Sequence, residues 1–140
     1  MHDIHKILNK YSLNINNSII IGSGIMHVLN IKESHDIDIT VGQETFDRLS
    51  KLPEFKIKNV SGLDVLTSDC LEVGTGIHLD KINHTYCFEE MFQNSIIIDN
   101  VRYITLEFLL NIKKSWLREK DKKDIEIIEK YLQSQLIKGE

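Results

Sequence analysis

The sequence predicts an α/β protein of the α+β type, with a small mixed β-sheet and helices packed against it. Apolar residues recur at helical spacing near both ends of the chain. Short runs rich in isoleucine and valine lie between these segments, bounded by glycine, asparagine and aspartate, as is typical of strands. A chain of 140 residues suffices for one core, so we expect a single domain over 1–140. Its core would span about 1–104 and its C-terminal helices about 105–137.

The first part of the chain is expected to alternate helices and strands. Ile4, Ile7, Leu8 and Tyr11 follow helical spacing, and an asparagine-rich turn comes after them. Strict alternation of apolar and polar residues over 36–41 indicates a half-buried strand. The predicted elements are a helix around 4–11, a strand over 18–22, a short helix over 25–31 and a strand over 36–41.

The remaining elements follow from turn and capping signals. A helix over 44–52 should end before Pro53, and Ser61-Gly62 should join two strands over 55–60 and 63–67. The signal is weak over 69–94. Asp99-Asn100 predicts a hairpin of strands 96–98 and 101–104, and Thr105 can cap the next helix. A second C-terminal helix is expected from about residue 122.

Composition excludes several classes of function. Acidic residues outnumber basic ones by 21 to 17, and the net charge is -4, so general affinity for nucleic acid or for a membrane surface is not expected. The two cysteines, Cys70 and Cys87, match no metal-binding spacing, which favours a reduced, cytoplasmic location. The longest apolar runs have the length of strands and are too short to cross a membrane.

Two aspartates in one predicted strand, Asp36 and Asp38, are the most informative feature of the sequence. Aspartate is depleted in strands, so a pair requires a reason. Residues i and i+2 of a strand point to the same side, about 6.6 Å apart along the chain. The alternation puts Asp36, Asp38 and Thr40 together on the face that the core leaves free. This spacing suits one or two Mg²⁺ ions.

Two further features extend this candidate site. Gly22-Ser23-Gly24 lies between a strand and a helix, where backbone N–H groups favour an anion such as phosphate. Asp64 is a carboxylate in an otherwise apolar strand. Three ionised carboxylates brought together repel one another unless a cation compensates. We therefore expect Asp64 to join Asp36 and Asp38 around Mg²⁺ or Mn²⁺, hard ions that take oxygen ligands.

This combination resembles the active-site signature of the nucleotidyltransferase superfamily, whose fold is that of polymerase beta. The segment 105–125 resembles the helical part of small bacterial members, including abortive-infection-type nucleotidyltransferases. Lys32 stands where such proteins often carry arginine, and it keeps the charge without the guanidinium fork. The resemblance implies a sheet of the nucleotidyltransferase type, catalytic and metal-binding roles for Asp36, Asp38 and Asp64, and nucleotide binding by Gly22, Ser23, Lys113 and Arg118.

The implied function is metal-dependent transfer of an NMP group from an NTP, with ATP as the expected nucleotide. The acceptor would be a hydroxyl of a small molecule, RNA or protein. Asp64 would complete the metal site and take the hydroxyl proton, and Lys113 and Arg118 would offset the charge of pyrophosphate. Lys120 and Asp121 are expected on a solvated helix face.

Two alternatives stay open. The same fold can serve as a catalytically inactive nucleotide-binding or protein-interaction module, as in a toxin–antitoxin-like pair, and a partner protein or a homodimer is compatible with either function. A Rossmann-type dinucleotide domain is the third hypothesis. It is disfavoured because His27 occupies the third glycine position of the fingerprint and the acidic pair follows too early for a ribose contact.

Overall fold

The structure, a computed structural model, describes residues 3–138, which form a mixed sheet with helices on both of its sides. The predicted α+β class is confirmed. The helices are α1 (Ile4–Lys10), α2 (Gly24–Val28), α3 (Gln43–Ser50), α4 (Phe88–Phe92), α5 (Leu106–Trp116) and α6 (Glu119–Lys138). The strands are β1 (Ser18–Ile21), β2 (Ile37–Val41), β3 (Lys56–Val60), β4 (Leu63–Ser68), β5 (Leu71–Gly74), β6 (Gly76–Leu79), β7 (His84–Cys87), β8 (Ser95–Ile98) and β9 (Val101–Ile104).

Seven strands of the described chain form the main sheet in the order β3-β4-β5-β2-β1-β9-β8. The pairs β2–β5 and β1–β9 are parallel, and the other neighbours are antiparallel. The strands β6 and β7 form a separate hairpin, joined by a short 3₁₀ turn. The strand β2 is central in the sheet, so its side chains lie between those of its neighbours β1 and β5.

The two faces of β2 have different surroundings. Ile37, Ile39 and Val41 are buried in the core together with Leu71 and Val73 of β5. The opposite face carries Asp38 and Thr40, as the alternation predicts. This face is not simply solvated, however, because Thr40 is fully buried and lines a cleft together with residues of α5 and β6. The C-terminal helices and the β6–β7 hairpin therefore cover the face that the sequence left free.

Local signals predicted several turns and caps correctly. The β3–β4 turn at Ser61-Gly62 and the β8–β9 turn at Asp99-Asn100 both have two consecutive residues with positive φ, as tight hairpin turns require. The Thr105 side chain accepts a hydrogen bond from the backbone N–H of Phe108 and caps α5. The weak signal over 69–94 concealed three strands and one helix.

No helix within residues 3–138 combines the length and the apolar character needed to cross a membrane.

Candidate active site

Asp38 and Glu72 form the centre of the candidate site. They are register partners on the parallel strands β2 and β5, so their side chains leave the same face of the sheet at the same level. Both line a cleft of about 660 Å³. This volume is in the range of pockets that hold small-molecule ligands. Glu72 lies in the segment 69–94, whose sequence signal is weak, and it takes the place beside Asp38 that was expected for Asp64.

The surroundings of Asp38 disfavour the charged form of its carboxyl group. Burial raises its pKa, and the charges of Glu72 and Asp36, together with a hydrogen bond to Glu72, raise it further, from 3.8 to about 6. The Lys58 ammonium opposes this shift. A carboxylate that is buried next to another carboxylate lacks sufficient positive charge nearby. The site is therefore favourable for an added cation.

The glycine turn after β1 is pressed against this carboxyl group. Gly22 has φ +64°, and a Cβ atom at this position would lie 2.6 Å from Oδ2 of Asp38. Only glycine therefore fits without moving the Asp38 side chain. Ser23 follows at the N-cap of α2 and lines the same cleft. Because α2 has only five residues, the turn itself, and not a long helix dipole, supplies the donor groups on this side.

The opposite wall of the cleft contains a buried ion-pair network. Lys113 of α5 is 5% exposed, and its ammonium lies 3.3 Å from Oδ1 of Asp121 and 2.9 Å from Oδ2 of Asp124. Burial alone would raise the pKa of both aspartates, but their basic partners hold both values below the usual range. Asp121 is fully buried, so the expectation of a solvated helix face is wrong for this residue. The charge of Lys113 is already neutralised in this arrangement.

Two further cations complete the network at the cleft surface. Arg118 makes a two-point contact with Asp121, at 2.6 Å from Nε and 3.1 Å from Nη2, and its guanidinium stacks on Trp116 at 4.3 Å from the ring centroid. Lys32 binds both oxygens of Asp124, at 2.7 and 2.9 Å. Three cations and two carboxylates give this wall a net positive charge. The cleft is therefore acidic on the sheet side and basic on the helix side.

The expected position of Asp64 is wrong. Thr67 of β4 is the register partner of Glu72, and Leu66 is the partner of Val73 in the core. Asp64 is two residues from Leu66, so it points to the face opposite Asp38 and Glu72. It is exposed and lines a different, smaller pocket beside Gln43 and Phe46. In addition, β5 separates β4 from β2, so Asp64 is not on a neighbouring strand.

The other predicted residues have mixed outcomes. Gly22, Ser23, Asp38, Lys113 and Arg118 all line one cleft. Asp36 is exposed and immediately precedes β2, and it acts on Asp38 through its charge. Nucleotide binding by Lys113 and Arg118 stays a prediction, because here both contact aspartates of α6.

Glu72, Lys58 and Asp124 belong to the site but were not predicted from the sequence, and Thr40 was placed on the face of Asp38 without a role. The alternation of Leu71, Glu72 and Val73 repeats the pattern around Asp38 and could have identified a short strand with an acidic face. The strand alternation indicated the face of Thr40 but not its burial. Within residues 3–138 its buried hydroxyl oxygen has no hydrogen-bond partner, and it lies on the same face as Asp38.

The carboxylate pair fits a divalent cation. Magnesium is usually held by one or two carboxylates together with substrate phosphates and water, and a complete cage of protein ligands is unusual. Over residues 3–138, no three or more His, Cys, Asp or Glu side chains are already grouped as a metal site. Asp38 and Glu72 nevertheless supply adjacent hard oxygen donors, and the Lys58 ammonium, 2.5 Å from Oε1 of Glu72, shows that a cation is accommodated there.

The chain matches no protein-family model, no curated protein and no solved structure.

Proposed function

We propose that this chain is a metal-dependent nucleotidyltransferase that moves an NMP group from an NTP to an acceptor hydroxyl. The observation that carries the proposal is the pairing of Asp38 with Glu72 across β2 and β5, facing a basic wall in the same cleft. The triphosphate of an NTP suits such a cleft. A metal ion held by the carboxylates can bind its phosphates on one side, and the basic groups of the other wall can bind them on the other.

Each part of the cleft has a role in this proposal. Asp38 and Glu72 would hold Mg²⁺ or Mn²⁺, and the exposed Asp36 adds negative charge that acts on Asp38. The ion, when bound, stabilises negative charge on the phosphates and on the attacking and leaving oxygens. The turn at Gly22 and Ser23 offers backbone and hydroxyl donors to phosphate oxygens. Lys32 and Arg118, which are at the cleft surface, face the anionic nucleotide from the other wall.

The proposed chemistry is a single displacement at phosphorus. The acceptor oxygen forms a bond to the α-phosphorus, the bond from the α-phosphorus to the bridging oxygen breaks, and pyrophosphate leaves. Glu72 is the candidate that takes the hydroxyl proton, because its side chain is 40% exposed whereas Asp38 is more enclosed. The role first expected of Asp64 is thus proposed for Glu72.

The direct test is transfer of label from α-labelled NTPs. Purified protein is incubated with each of the four NTPs, Mg²⁺ or Mn²⁺, and three acceptor classes: total RNA, protein, and small hydroxyl compounds. We expect Asp38→Asn and Glu72→Gln to lower labelling at least about 100-fold, because each removes a charged contact to the reacting groups. Asp64→Asn is the matched control on the opposite face, and it should retain activity.

Equal labelling by the wild type, Asp38→Asn and Glu72→Gln would contradict the proposal. A second candidate function is an inactive nucleotide-binding module, and it is favoured by the neutralisation of Lys113 within its own network. Calorimetry separates the two functions. NTP binding that does not require Mg²⁺ and gives no turnover with any acceptor favours the module.

A further inference from the structure

The edge strand β3 supplies a cation that contacts the carboxylate pair of Asp38 and Glu72. Lys58 lies on β3, and its ammonium reaches across β4 to Oε1 of Glu72 on β5. Its charge also acts on Asp38, since it is the one named influence that lowers the pKa of that carboxyl group. In turn, the hydrogen bond and the charge of Glu72 raise the pKa of Lys58 above its usual value.

An ammonium at this position has a clear electrostatic reason. Asp38, Glu72 and Asp36 place three acidic groups near one another, and their mutual repulsion is lowest when a positive charge is between or beside them. On the other wall, Lys32, Lys113 and Arg118 are engaged by Asp121 and Asp124. Lys58 is therefore the chain's own source of positive charge on the carboxylate side.

We propose that Lys58 is a tethered counter-ion that occupies Glu72 in the metal-free protein and competes with the divalent cation for this carboxylate. The inference rests on the proposed function, since it assumes that Asp38 and Glu72 hold the ion. A divalent ion and an ammonium cannot both take Oε1 of Glu72 at bonding distance. Metal binding therefore requires the Lys58 side chain to leave this oxygen. The free energy of this displacement lowers the affinity of the protein for the ion.

The surroundings of Lys58 allow such an exchange. Its side chain is 50% exposed, so the ammonium can leave Glu72 and be hydrated at small cost. The lysine side chain has a flexible four-carbon stem, which suits a contact that forms and breaks. An exposed ion pair of this kind contributes little free energy. A divalent ion can therefore replace the Lys58 ammonium at Glu72.

Lys56 provides a matched control on the same strand. Lys56 and Lys58 pair with Thr67 and Val65 of β4, so both point to the face that carries Glu72. Lys56 is exposed, and within residues 3–138 it makes no ion pair. Substituting either lysine by glutamine changes the net charge equally, but only the Lys58 substitution frees Glu72.

The experiment is a calorimetric titration of the full, nucleotide-free chain with Mn²⁺. We expect Lys58→Gln and Lys58→Met to bind Mn²⁺ about three- to tenfold more tightly than the wild type, because no ammonium must be displaced. Lys58→Arg should bind as the wild type does, and Lys56→Gln should stay within about twofold of it. In EDTA, Lys58→Gln should also have a lower Tm than Lys56→Gln, and Mn²⁺ should restore it.

Three outcomes overturn the inference, and they distinguish its failure from the failure of the proposed function. If the wild type binds Mn²⁺ and Lys58→Gln binds it equally or less tightly, Lys58 is not a competitor, while the proposed metal site stands. Equal tightening by Lys56→Gln has the same consequence, because it reflects net charge alone. If neither the wild type nor Lys58→Gln binds Mn²⁺, the metal site itself fails, and the proposed function fails with it. Binding by Lys58→Gln but not by the wild type supports the inference.

Discussion

The two walls of the cleft both carry buried or half-buried charges, but only one wall balances them. On the helix side, Asp121 and Asp124 are surrounded by basic groups, and their pKa values are held below the usual range. On the sheet side, Asp38 faces Glu72, and its pKa is raised to about 6. Removing one partner from a balanced buried network is strongly destabilising, whereas unbalanced charges have a cost that a bound ligand can remove. The comparison therefore separates a wall whose charges are paired within the fold from a wall at which we propose that a ligand binds.

The largest expected effect is on the balanced wall. Lys113→Met should lower the free energy of unfolding by about 3 kcal/mol, because it leaves buried carboxylates without their shared cation. Urea unfolding at neutral pH measures this effect. Lys114→Met is the matched control on the next residue of α5, since Lys114 has a half-exposed partner, Glu129, at 3.4 Å. Its effect should be below about 0.5 kcal/mol. Similar losses for both variants would contradict the distinction.

The next effect is on the unbalanced wall, and it has the opposite sign. The pKa of Asp38 is raised from 3.8 in the unfolded chain to about 6 in the folded one, so between these values the folded protein binds the additional proton. Stability from this residue is therefore present at low pH and lost as pH rises through about 6, by about 3 kcal/mol in total. Asp38→Asn should remove this decline and be more stable than the wild type at neutral pH.

Urea unfolding in EDTA across the acid and neutral range tests this prediction. Asp121 and Asp124 have lowered pKa values, so their contribution is present above 3.8 and is lost only as pH falls below it. The two walls thus titrate in separate ranges. Asp64→Asn is the control, because this exposed residue lies on the other face. A pH profile of Asp38→Asn that runs parallel to the wild type would refute the assignment.

The smallest expected effect on stability comes from the glycine turn. Gly22→Ala and Gly62→Ala both place a Cβ atom at positive φ, +64° and +86°, which costs about 1 kcal/mol each. Only Gly22 lies against Asp38, whereas a Cβ atom at Gly62 would meet nothing within 4 Å. We therefore expect similar losses of Tm but a loss of Mn²⁺ binding in Gly22→Ala alone. Unimpaired Mn²⁺ binding by Gly22→Ala would show that the turn does not position the carboxylate.

Much of the fold could be predicted because its signals are local. The Asp99-Asn100 turn, the Thr105 cap and the alternation over β2 depend on residues that are adjacent in the chain. The same holds for Asp38 in the candidate site, since its face follows from its own strand. Asp64 was assigned by the same kind of pattern, but its pattern shows only which residues share its face, and not what the other strands bring to that face.

The amino-acid sequence by itself determined most of the elements outside 69–94, several turns and the side of β2 that carries Asp38. Tertiary structure alone decided that Glu72 is its neighbour, because β2 pairs with β5, and a one-residue shift between β4 and β5 would have moved Asp64 to the acidic face. It also decided that Asp121 is buried, since its partner Lys113 is on another helix. Strand and helix periods fix directions within an element, whereas register and packing between elements fix which charges meet.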